Sequence, residues 1–233
     1  MSVLATVLWP NGAGGHIAAG SLLLAAGAGY LLGSLPFGHW VSRAHGVDIF
    51  EVGSRSPGAT NVRRTLGPRA GNTVFLLDAA KGALAAAWPL FLVWQARAAV
   101  APAFAEVELN AKILGTVGLV FAMLGHSFSC FTGFRGGKGV ATAAGAFLVL
   151  MPPVAAVALG VWALTFFASG YVSLASILAA VTLPIVALVE GQRAFVTLVA
   201  VAVAVFVIGR HRANILRLCR GTENRAGRRG GGL

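Results

Sequence analysis

The chain has 233 residues, of which 57% are hydrophobic and only 11% are charged, and its formal net charge is +11. Soluble globular proteins carry about 25% charged residues, so this composition excludes an ordinary soluble domain. Between Gly139 and Val189 the sequence contains no Asp, Glu, Lys or Arg. That stretch is long enough for two membrane crossings, because one helix needs about 20 apolar residues.

Apolar segments recur along the chain and predict an all-α integral membrane protein with about seven transmembrane helices. They are rich in Leu, Ala, Val and Gly, and they lack the strict alternation of a transmembrane barrel. Pro152 and Pro153 separate the fourth segment from the fifth, because proline lacks an N–H and restricts the residue before it. If these two were one bent span, the helix count and the topology would both change. The predicted spans are residues 17–41, 71–95, 111–131, 138–152, 153–169, 172–190 and 194–210.

The chain is expected to form one domain with a short tail. We expect residues 1–225 to be a single transmembrane domain. Residues 226–233 are mostly glycine and arginine with nothing to bury, so they are predicted to be a disordered basic tail.

Basic residues lie almost entirely on one side of the predicted membrane. The loops after the first and third spans, together with the C-terminal tail, carry 14 of the 18 Lys and Arg residues. Because basic residues collect in cytoplasmic loops, the N-terminus is expected outside and the C-terminus in the cytoplasm. This orienting role accounts for the net charge better than nucleic-acid binding does, so no nucleic-acid partner is expected.

Four polar segments break the apolar pattern, and all four are predicted at the cytoplasmic ends of helices. No comparable set of polar segments is predicted on the outer side. A purely structural role for the protein would not explain why the polar segments all lie on one side of the membrane. The sequence therefore predicts active-site loops at the cytoplasmic face. The segments are residues 53–64, 125–142, 170–177 and 211–224.

The second polar segment predicts an anion site. Residues 136–139, Gly-Gly-Lys-Gly, open an apolar helix, where glycines let the backbone approach a ligand and the helix N-terminus favours an anion. Arg135 and Lys138 add positive charge, so the expected anion is phosphate. A Walker A loop is excluded, because Thr132 and Gly139 stand where that motif needs Gly and Ser or Thr. The alternative is a flexible interfacial turn.

The first polar segment combines hydroxyl side chains with arginine. Arg64 suits a phosphate because a guanidinium can bind two oxygens at once, and Ser54 and Thr60 add small hydroxyl groups. Turn chemistry and membrane orientation are the alternative for this segment. Within the second span, Asp78 and Lys81 lie one helical turn apart, and intramembrane charges are usually paired. We therefore favour a structural salt bridge over catalysis for this pair.

Two further pairs have the same helical spacing. Ser173 and Ser176 share a helix face, and the alternative for them is helix–helix packing through small residues. His211 and Asn214 follow the last span, where a histidine can hold a proton near neutral pH. The alternative is an interfacial histidine in an orienting tail. No group of His, Cys, Asp or Glu has metal-ligand spacing, so no metal is expected.

Together these segments resemble the bacterial acyl-phosphate:glycerol-3-phosphate acyltransferase family of the PlsY type, from about Gly33 to Glu223. Three positions depart from that family: Arg55 and Ser56 stand where its first loop commonly has glycine and asparagine, and Ser129 replaces a usual proline. The matching parts are Gly33-Ser34-x-Pro36, residues 53–64, Leu77-Asp78-x-x-Lys81-Gly82, residues 125–142, residues 171–176, His211-Arg212-x-Asn214 and Gly221-Thr222-Glu223.

The resemblance implies a seven-helix enzyme of the bacterial cytoplasmic (inner) membrane. Such an enzyme transfers a fatty acyl group from acyl phosphate to the sn-1 hydroxyl of glycerol 3-phosphate, giving lysophosphatidic acid and phosphate, the first committed step of phospholipid synthesis. Thioester donors are not substrates of that family, and no cofactor is implied. Its partners would be the two substrates, membrane lipid and the soluble enzyme that makes acyl phosphate. The competing interpretation is a membrane transporter of a phosphorylated metabolite, whose site would lie near the membrane midplane.

The resemblance also assigns roles to single residues. It leaves open whether the acceptor proton goes to His211 or to a substrate phosphate, and it gives Glu223 the task of holding the tail through nearby arginines. Catalytic roles fall to Ser54, Arg64, Lys138, His211 and Asn214. Substrate contacts fall to Thr60, Asn61, Gly136, Gly137, Gly139, Ser173 and Ser176. Structural roles fall to Asp78, Lys81 and Glu223. The glycerol-3-phosphate pocket would comprise Arg64, Gly136, Gly137, Lys138, Ser176 and Asn214, with Ser54 and Thr60 at the acyl-phosphate head.

Overall fold

A computed structural model describes residues 17–96 and 104–226, and these residues form helices without any β-strand. The predicted all-α fold is confirmed. The chain divides into two compact units, one ending at Leu150 and the other beginning at Met151. The single domain over residues 1–225 stays a prediction, and residues 227–233 of the predicted tail lie outside the described part.

The first unit contains six described helices. Gly67, with φ +92°, and Pro68 separate the third from the fourth, because glycine adopts this backbone conformation readily and proline suits the first position of a helix. The helices are α1 Ala19–Ser34, α2 Phe37–Ala44, α3 Ala59–Leu66, α4 Pro68–Ala96, α5 Phe104–Ser127 and α6 Val140–Leu150.

The second unit contains four described helices. Met151 has φ −143° and ψ 70°, and Pro152 opens the next helix, so the fourth and fifth predicted spans, which the sequence left open as one bent span or two, belong to separate helices. Gly170, with φ +75°, ends that helix, and its N–H donates to the Phe166 carbonyl at 2.7 Å. The helices are α7 Pro152–Ser169, α8 Val172–Val189, α9 Ala194–Arg210 and α10 Arg212–Cys219.

Each of the seven predicted spans contains a helix, but not every helix is long enough to cross a membrane. In the described ranges, five helical segments meet the requirement, and α9 with α10, bent by 60°, gives a sixth if the pair is one span. Helix α6 has 11 residues, below the roughly 20 that a crossing needs. The five segments are Ala19–Ala44, Pro68–Gln95, Ala105–Thr132, Pro152–Ser169 and Val172–Val189.

The helices of the first unit meet through small residues. A Cβ built on Gly82 would overlap the Thr142 carbonyl, and one on Gly145 would overlap the Ala79 carbonyl, so α4 and α6 touch backbone to backbone. Gly33 of α1 meets Ala122 of α5 in the same way. Such contacts are typical of membrane helices, which associate by close packing and not by excluding water. They fix the polar loops at the helix ends relative to one another.

Arg55 occupies a backbone conformation that suits glycine. Its φ is +54°, in the left-handed region. A side chain with a Cβ there costs about 1–2 kcal/mol relative to ordinary helical backbone. This is the position where the chain has arginine and the resembled family commonly has glycine.

We therefore expect Arg55→Gly to raise the free energy of unfolding by about 0.5–1 kcal/mol. Glycine removes the backbone strain, but it also gives the unfolded chain more conformational freedom, and this offsets part of the stabilisation. Thermal unfolding of the purified protein in detergent measures this. Arg69→Gly is the matched control, because Arg69 lies in α4, where the same exchange should lower stability by up to about 1 kcal/mol. A lower Tm for Arg55→Gly would contradict the interpretation.

Candidate active site

The first polar segment is held together by Asn61. This side chain is 2% exposed, accepts the Ser54 N–H at 2.9 Å and donates to the carbonyls of Val52 and Ser56 at 3.1 and 3.0 Å. These contacts close the turn that precedes α3. Ser54, Thr60 and Arg64 are exposed, and Thr60 and Arg64 lie four residues apart on one face of α3. The segment therefore presents two hydroxyls and a guanidinium from a fixed backbone.

The second polar segment packs against residues that precede the first polar segment. The Arg135 guanidinium donates to the Phe50 carbonyl at 3.2 Å and lies over the Phe50 ring, with Cζ 4.3 Å from the centroid. The Ser129 hydroxyl donates to the Ser34 carbonyl at 2.6 Å, at the break between α1 and α2. Ser129, which replaces the family's usual proline, thus donates a hydrogen bond to a carbonyl that the break between α1 and α2 leaves without a helical partner. Residues 48–61 and 128–139 lie together within the first unit.

Residues 136–139, here called the glycine loop, rest directly on His126. The Gly137 N–H donates to the His126 carbonyl at 3.1 Å. A Cβ on Gly136 would overlap that carbonyl oxygen, and a Cβ on Gly137 would overlap the imidazole, so only glycine fits at either place. Lys138 is half-buried at the start of α6, whose first N–H groups lack partners within the helix. Its charge and the helix N-terminus together can bind an anion.

A buried charge cluster lies behind the glycine loop. Lys81 Nζ contacts Asp78 Oδ1 at 2.8 Å, and both side chains are 3% exposed. Lys81 also donates to the Leu35 carbonyl at 2.9 Å, which accepts the Phe37 N–H at 3.1 Å as well. His126 Nδ1 lies 3.5 Å from the same Asp78 oxygen. The structure thus contains the expected pair and adds a histidine to it.

A small cleft lies where this cluster, the α1–α2 connection and the loops come together. It is lined by the α1–α2 connection, Pro57, Asp78, Lys81, His126 and the start of the glycine loop. The space inside is close to the minimum for one water molecule, ~10–15 Å³. In this conformation the cleft is too small for glycerol 3-phosphate.

The second unit carries a network around Glu223. Its carboxylate accepts from Ser173 Oγ at 2.9 Å, from Asn214 Nδ2 at 2.7 Å and from Arg217 Nε at 2.7 Å. Burial raises the pKa of the Glu223 carboxyl, but these hydrogen bonds outweigh burial, so its pKa lies below the usual range. Glu223 therefore stays ionised at neutral pH, and the stability it contributes is lost only as the pH falls through that lowered pKa. The network ties α8, α10 and the segment after α10 together.

The tautomer of His211 follows from its environment. The side chain is buried, and Nδ1 lies 2.8 Å from the Val207 carbonyl. Because a carbonyl oxygen only accepts, Nδ1 carries a hydrogen, and in the neutral ring Nε2 carries the lone pair. A backbone carbonyl thus orients the His211 ring, whereas a carboxylate orients the ring of many catalytic histidines.

Ser173 and Ser176 are both buried on α8 but have different partners. Ser173 bonds to Glu223, whereas Ser176 Oγ donates to the Val172 carbonyl at 2.8 Å and accepts Trp162 Nε1 at 3.3 Å. In each unit the structure brings two predicted segments together. In the first unit, Pro57 of residues 53–64 lines one cleft with His126 and Gly136 of residues 125–142. In the second unit, Ser173 of residues 170–177 bonds to Glu223 of residues 211–224.

Comparisons with known proteins agree on one family. Residues 23–221 match the family model described as glycerol-3-phosphate acyltransferase. The chain is 42% identical over 197 residues to the glycerol-3-phosphate acyltransferase of Fusobacterium nucleatum, covering 84% of this chain and 93% of that one. It is 46% identical over 208 residues to the enzyme of the same name from Synechococcus sp. strain JA-2-3B'a(2-13), covering 89% and 96%.

The fold is similar to solved structures of PlsY, an integral membrane glycerol 3-phosphate acyltransferase. The glycerol 3-phosphate form superposes with a TM-score of 0.76 at 37% identity, covering 89% of this chain and 96% of that one. The lysophosphatidic acid form gives a TM-score of 0.73 with the same identity and coverage.

Proposed function

This chain belongs to the glycerol-3-phosphate acyltransferase family and is an integral membrane enzyme of that activity, and we propose that its acyl donor is acyl phosphate. The family inferred from the sequence motifs is confirmed, and the transporter alternative is wrong. The products of the proposed reaction are 1-acylglycerol 3-phosphate and inorganic phosphate. The observation that carries the donor proposal is that two basic polar segments of the first unit contribute to the lining of one cleft, since acyl phosphate and glycerol 3-phosphate each bring a phosphate.

The chemistry needs no covalent enzyme intermediate. The acceptor hydroxyl oxygen attacks the acyl carbonyl carbon, the bond from that carbon to the phosphate oxygen breaks, and phosphate leaves with the electron pair. The acceptor proton passes either to His211 Nε2 or to a phosphate oxygen of a substrate. Because the mixed anhydride is already activated, the enzyme acts mainly by positioning the substrates and stabilising charge.

In the first unit we assign anion binding to the glycine loop and α3. Lys138 and Arg64 neutralise the glycerol 3-phosphate dianion and the charge on the leaving phosphate, and Gly136, Gly137 and Gly139 keep the backbone close to the ligand. Ser54 and Thr60 contact the acyl-phosphate head. Asn61 was predicted to contact the substrate. Its hydrogen bonds to the backbone of Ser54 and Val52 support a different role in the same site, which is to hold the loop that carries Ser54.

In the second unit we assign substrate contacts to Asn214, Ser173 and Ser176. The contact with Glu223 supports the assignment of Asn214. The Glu223 carboxylate accepts a hydrogen bond from the amide nitrogen of Asn214, so the amide oxygen points away from Glu223. His211 either takes the acceptor proton or orients a substrate through Nε2. Glu223 itself serves to hold the C-terminal segment, because its other oxygen is occupied by Arg217.

We further propose that the enzyme lies in the cytoplasmic (inner) membrane, with the N-terminus outside, the C-terminus inside and the active-site loops at the cytoplasmic surface. The uneven distribution of Lys and Arg supports this orientation. The acyl chain of the donor would stay among apolar helices while its phosphate meets the loops. The soluble enzyme that makes acyl phosphate would deliver it at the same face.

The activity is tested with purified protein in lipid vesicles. We expect phosphate release from acyl phosphate that depends on glycerol 3-phosphate, with equimolar formation of lysophosphatidic acid. Acyl-CoA and acyl carrier protein serve as matched alternative donors at the same chain length. Equal turnover with either thioester would overturn the donor proposal while leaving the acyltransferase activity intact.

The two native cysteines give a direct test of orientation. Cys130 and Cys219 are both exposed and both belong to the predicted cytoplasmic face. A membrane-impermeant maleimide should label them in inside-out vesicles and not in intact cells. In a cysteine-free variant, Gln192→Cys, in the turn between α8 and α9, should show the opposite pattern. Labelling of a native cysteine in intact cells would refute the proposed topology.

A further inference from the structure

We propose that Asp78 is a positioning residue for this reaction, which holds the glycine loop in place through His126. The inference rests on the proposed role of that loop in binding glycerol 3-phosphate. It extends the function of the buried pair beyond structural charge compensation, and it gives His126 a role.

Asp78 is the centre of the cluster. One of its oxygens, Oδ1, faces both Lys81 Nζ at 2.8 Å and His126 Nδ1 at 3.5 Å. All three side chains are at most 7% exposed, so solvent screens these interactions weakly. Lys81 is fixed in turn by the Leu35 carbonyl and lies 5.6 Å from the Phe37 ring centroid. The carboxylate therefore sits at one place and presents a fixed charge to the imidazole.

His126 transmits that position to the loop by direct contact. Its carbonyl accepts the Gly137 N–H at 3.1 Å, and the backbones at Gly136 and Gly137 leave no room for a Cβ against the carbonyl and the ring. No side chain intervenes that could absorb a movement. A tilt of the imidazole would therefore displace the loop, and Lys138 with it.

The contact between His126 and Asp78 is too long to hold the imidazole as an ordinary hydrogen bond would. A separation of 3.5 Å between Nδ1 and Oδ1 lies beyond the usual 2.7–3.2 Å range for N–H···O bonds, so the ring is oriented mainly by the charge of the carboxylate. Removing that charge would also leave the Lys81 ammonium buried without its partner. Both effects act at the base of the loop and away from the reacting atoms, so substrate affinity should suffer more than the chemical step.

The test compares the steady-state kinetics of Asp78→Asn and His126→Gln. Asp78→Asn keeps the size of the side chain and removes its charge. His126→Gln removes the Nδ1 donor and adds no bulk against Gly137. We expect the KM for glycerol 3-phosphate to rise by about tenfold, equivalent to about 1.4 kcal/mol of lost binding, with kcat changed by less than about threefold. Glu108→Gln is the matched control, because Glu108 pairs with Lys112 on the exposed surface of α5 at 2.8 Å and should leave KM unchanged.

A lower kcat with an unchanged KM in both variants would mean fewer correctly folded molecules, and this would overturn the positioning role. Lys138→Ala separates this proposal from the one it rests on. If Lys138→Ala raises the KM and the two variants do not, Asp78 has no positioning role and the anion loop stands. If none of the three variants changes the KM, the loop assignment itself fails. Should Asp78→Asn not fold, His126→Gln still decides the outcome, because it leaves the buried ion pair intact.

Discussion

Replacing Lys138 or Arg64 by alanine is expected to reduce kcat/KM for glycerol 3-phosphate by about 10-fold to over 100-fold. Loss of one charge-assisted contact costs about 1.5–3 kcal/mol, and each 1.4 kcal/mol is a factor of ten. Lys138 contributes a half-buried charge at the start of α6, so its effect should fall mainly on KM. Arg64 can bind two phosphate oxygens, so its loss should raise KM in the same way or abolish turnover.

Arg63→Ala is the matched control for this prediction. Arg63 is the exposed neighbour of Arg64, but its guanidinium donates to Asn72 Oδ1 at 3.0 Å. If the effect comes from a specific anion site, this variant should have near-normal kinetics. An equal loss in all three variants would indicate general surface charge, and unchanged kinetics in Lys138→Ala and Arg64→Ala would remove the proposed anion site.

Substitutions of His211 are expected to separate the two proton acceptors. A general base contributes about 10²–10⁴-fold to kcat, and no amide can replace it. If a substrate phosphate is the base, His211 only orients groups by hydrogen bonding. His211→Asn can then keep the bond to the Val207 carbonyl, and His211→Gln can reproduce a contact made by Nε2. We expect this second outcome, with most activity kept in one amide variant and about 10–100-fold lost in His211→Ala.

The pH dependence of the reaction rate provides a second test with the same variants. A phosphate base has its second pKa at about 6, so the rate should fall as the pH drops through that value and the dianion becomes protonated. This acidic limb should persist in His211→Gln. Near-complete loss of activity in all three variants, with no acidic limb in what remains, would make His211 the base.

The sequence predicted the features that depend on neighbouring residues. Apolar runs and the Pro152–Pro153 break located the helices, because both act on the local backbone. The spacing of Asp78 and Lys81 pointed to their ion pair for the same reason. The predicted span of residues 138–152 is longer than α6, because Lys138 and Gly139 belong to the glycine loop, while Met151 and Pro152 belong to the break before α7 and to its first turn.

Contacts between distant segments could not be predicted from the sequence. Arg135 reaches Phe50 across 85 positions, and Ser129 reaches Ser34 across 95. Both depend on how closely α1 and α5 approach, which their small residues allow but do not specify. The bond from His211 to Val207 was accessible in principle, because the last carbonyls of a helix lack partners and lie within reach of a histidine just after it.

Backbone-to-backbone packing in the first unit decides where laboratory evolution of this enzyme can succeed. At Gly82 and Gly145 an added methyl would meet main-chain atoms, which cannot rotate away as a side chain can. On the outward face of α4, Leu76, Leu84 and Phe91 are exposed, and lipid chains are as apolar as leucine. A mutant library should therefore vary those outward positions freely and keep the glycines fixed, because most variants at the glycines would be lost before any activity could be selected.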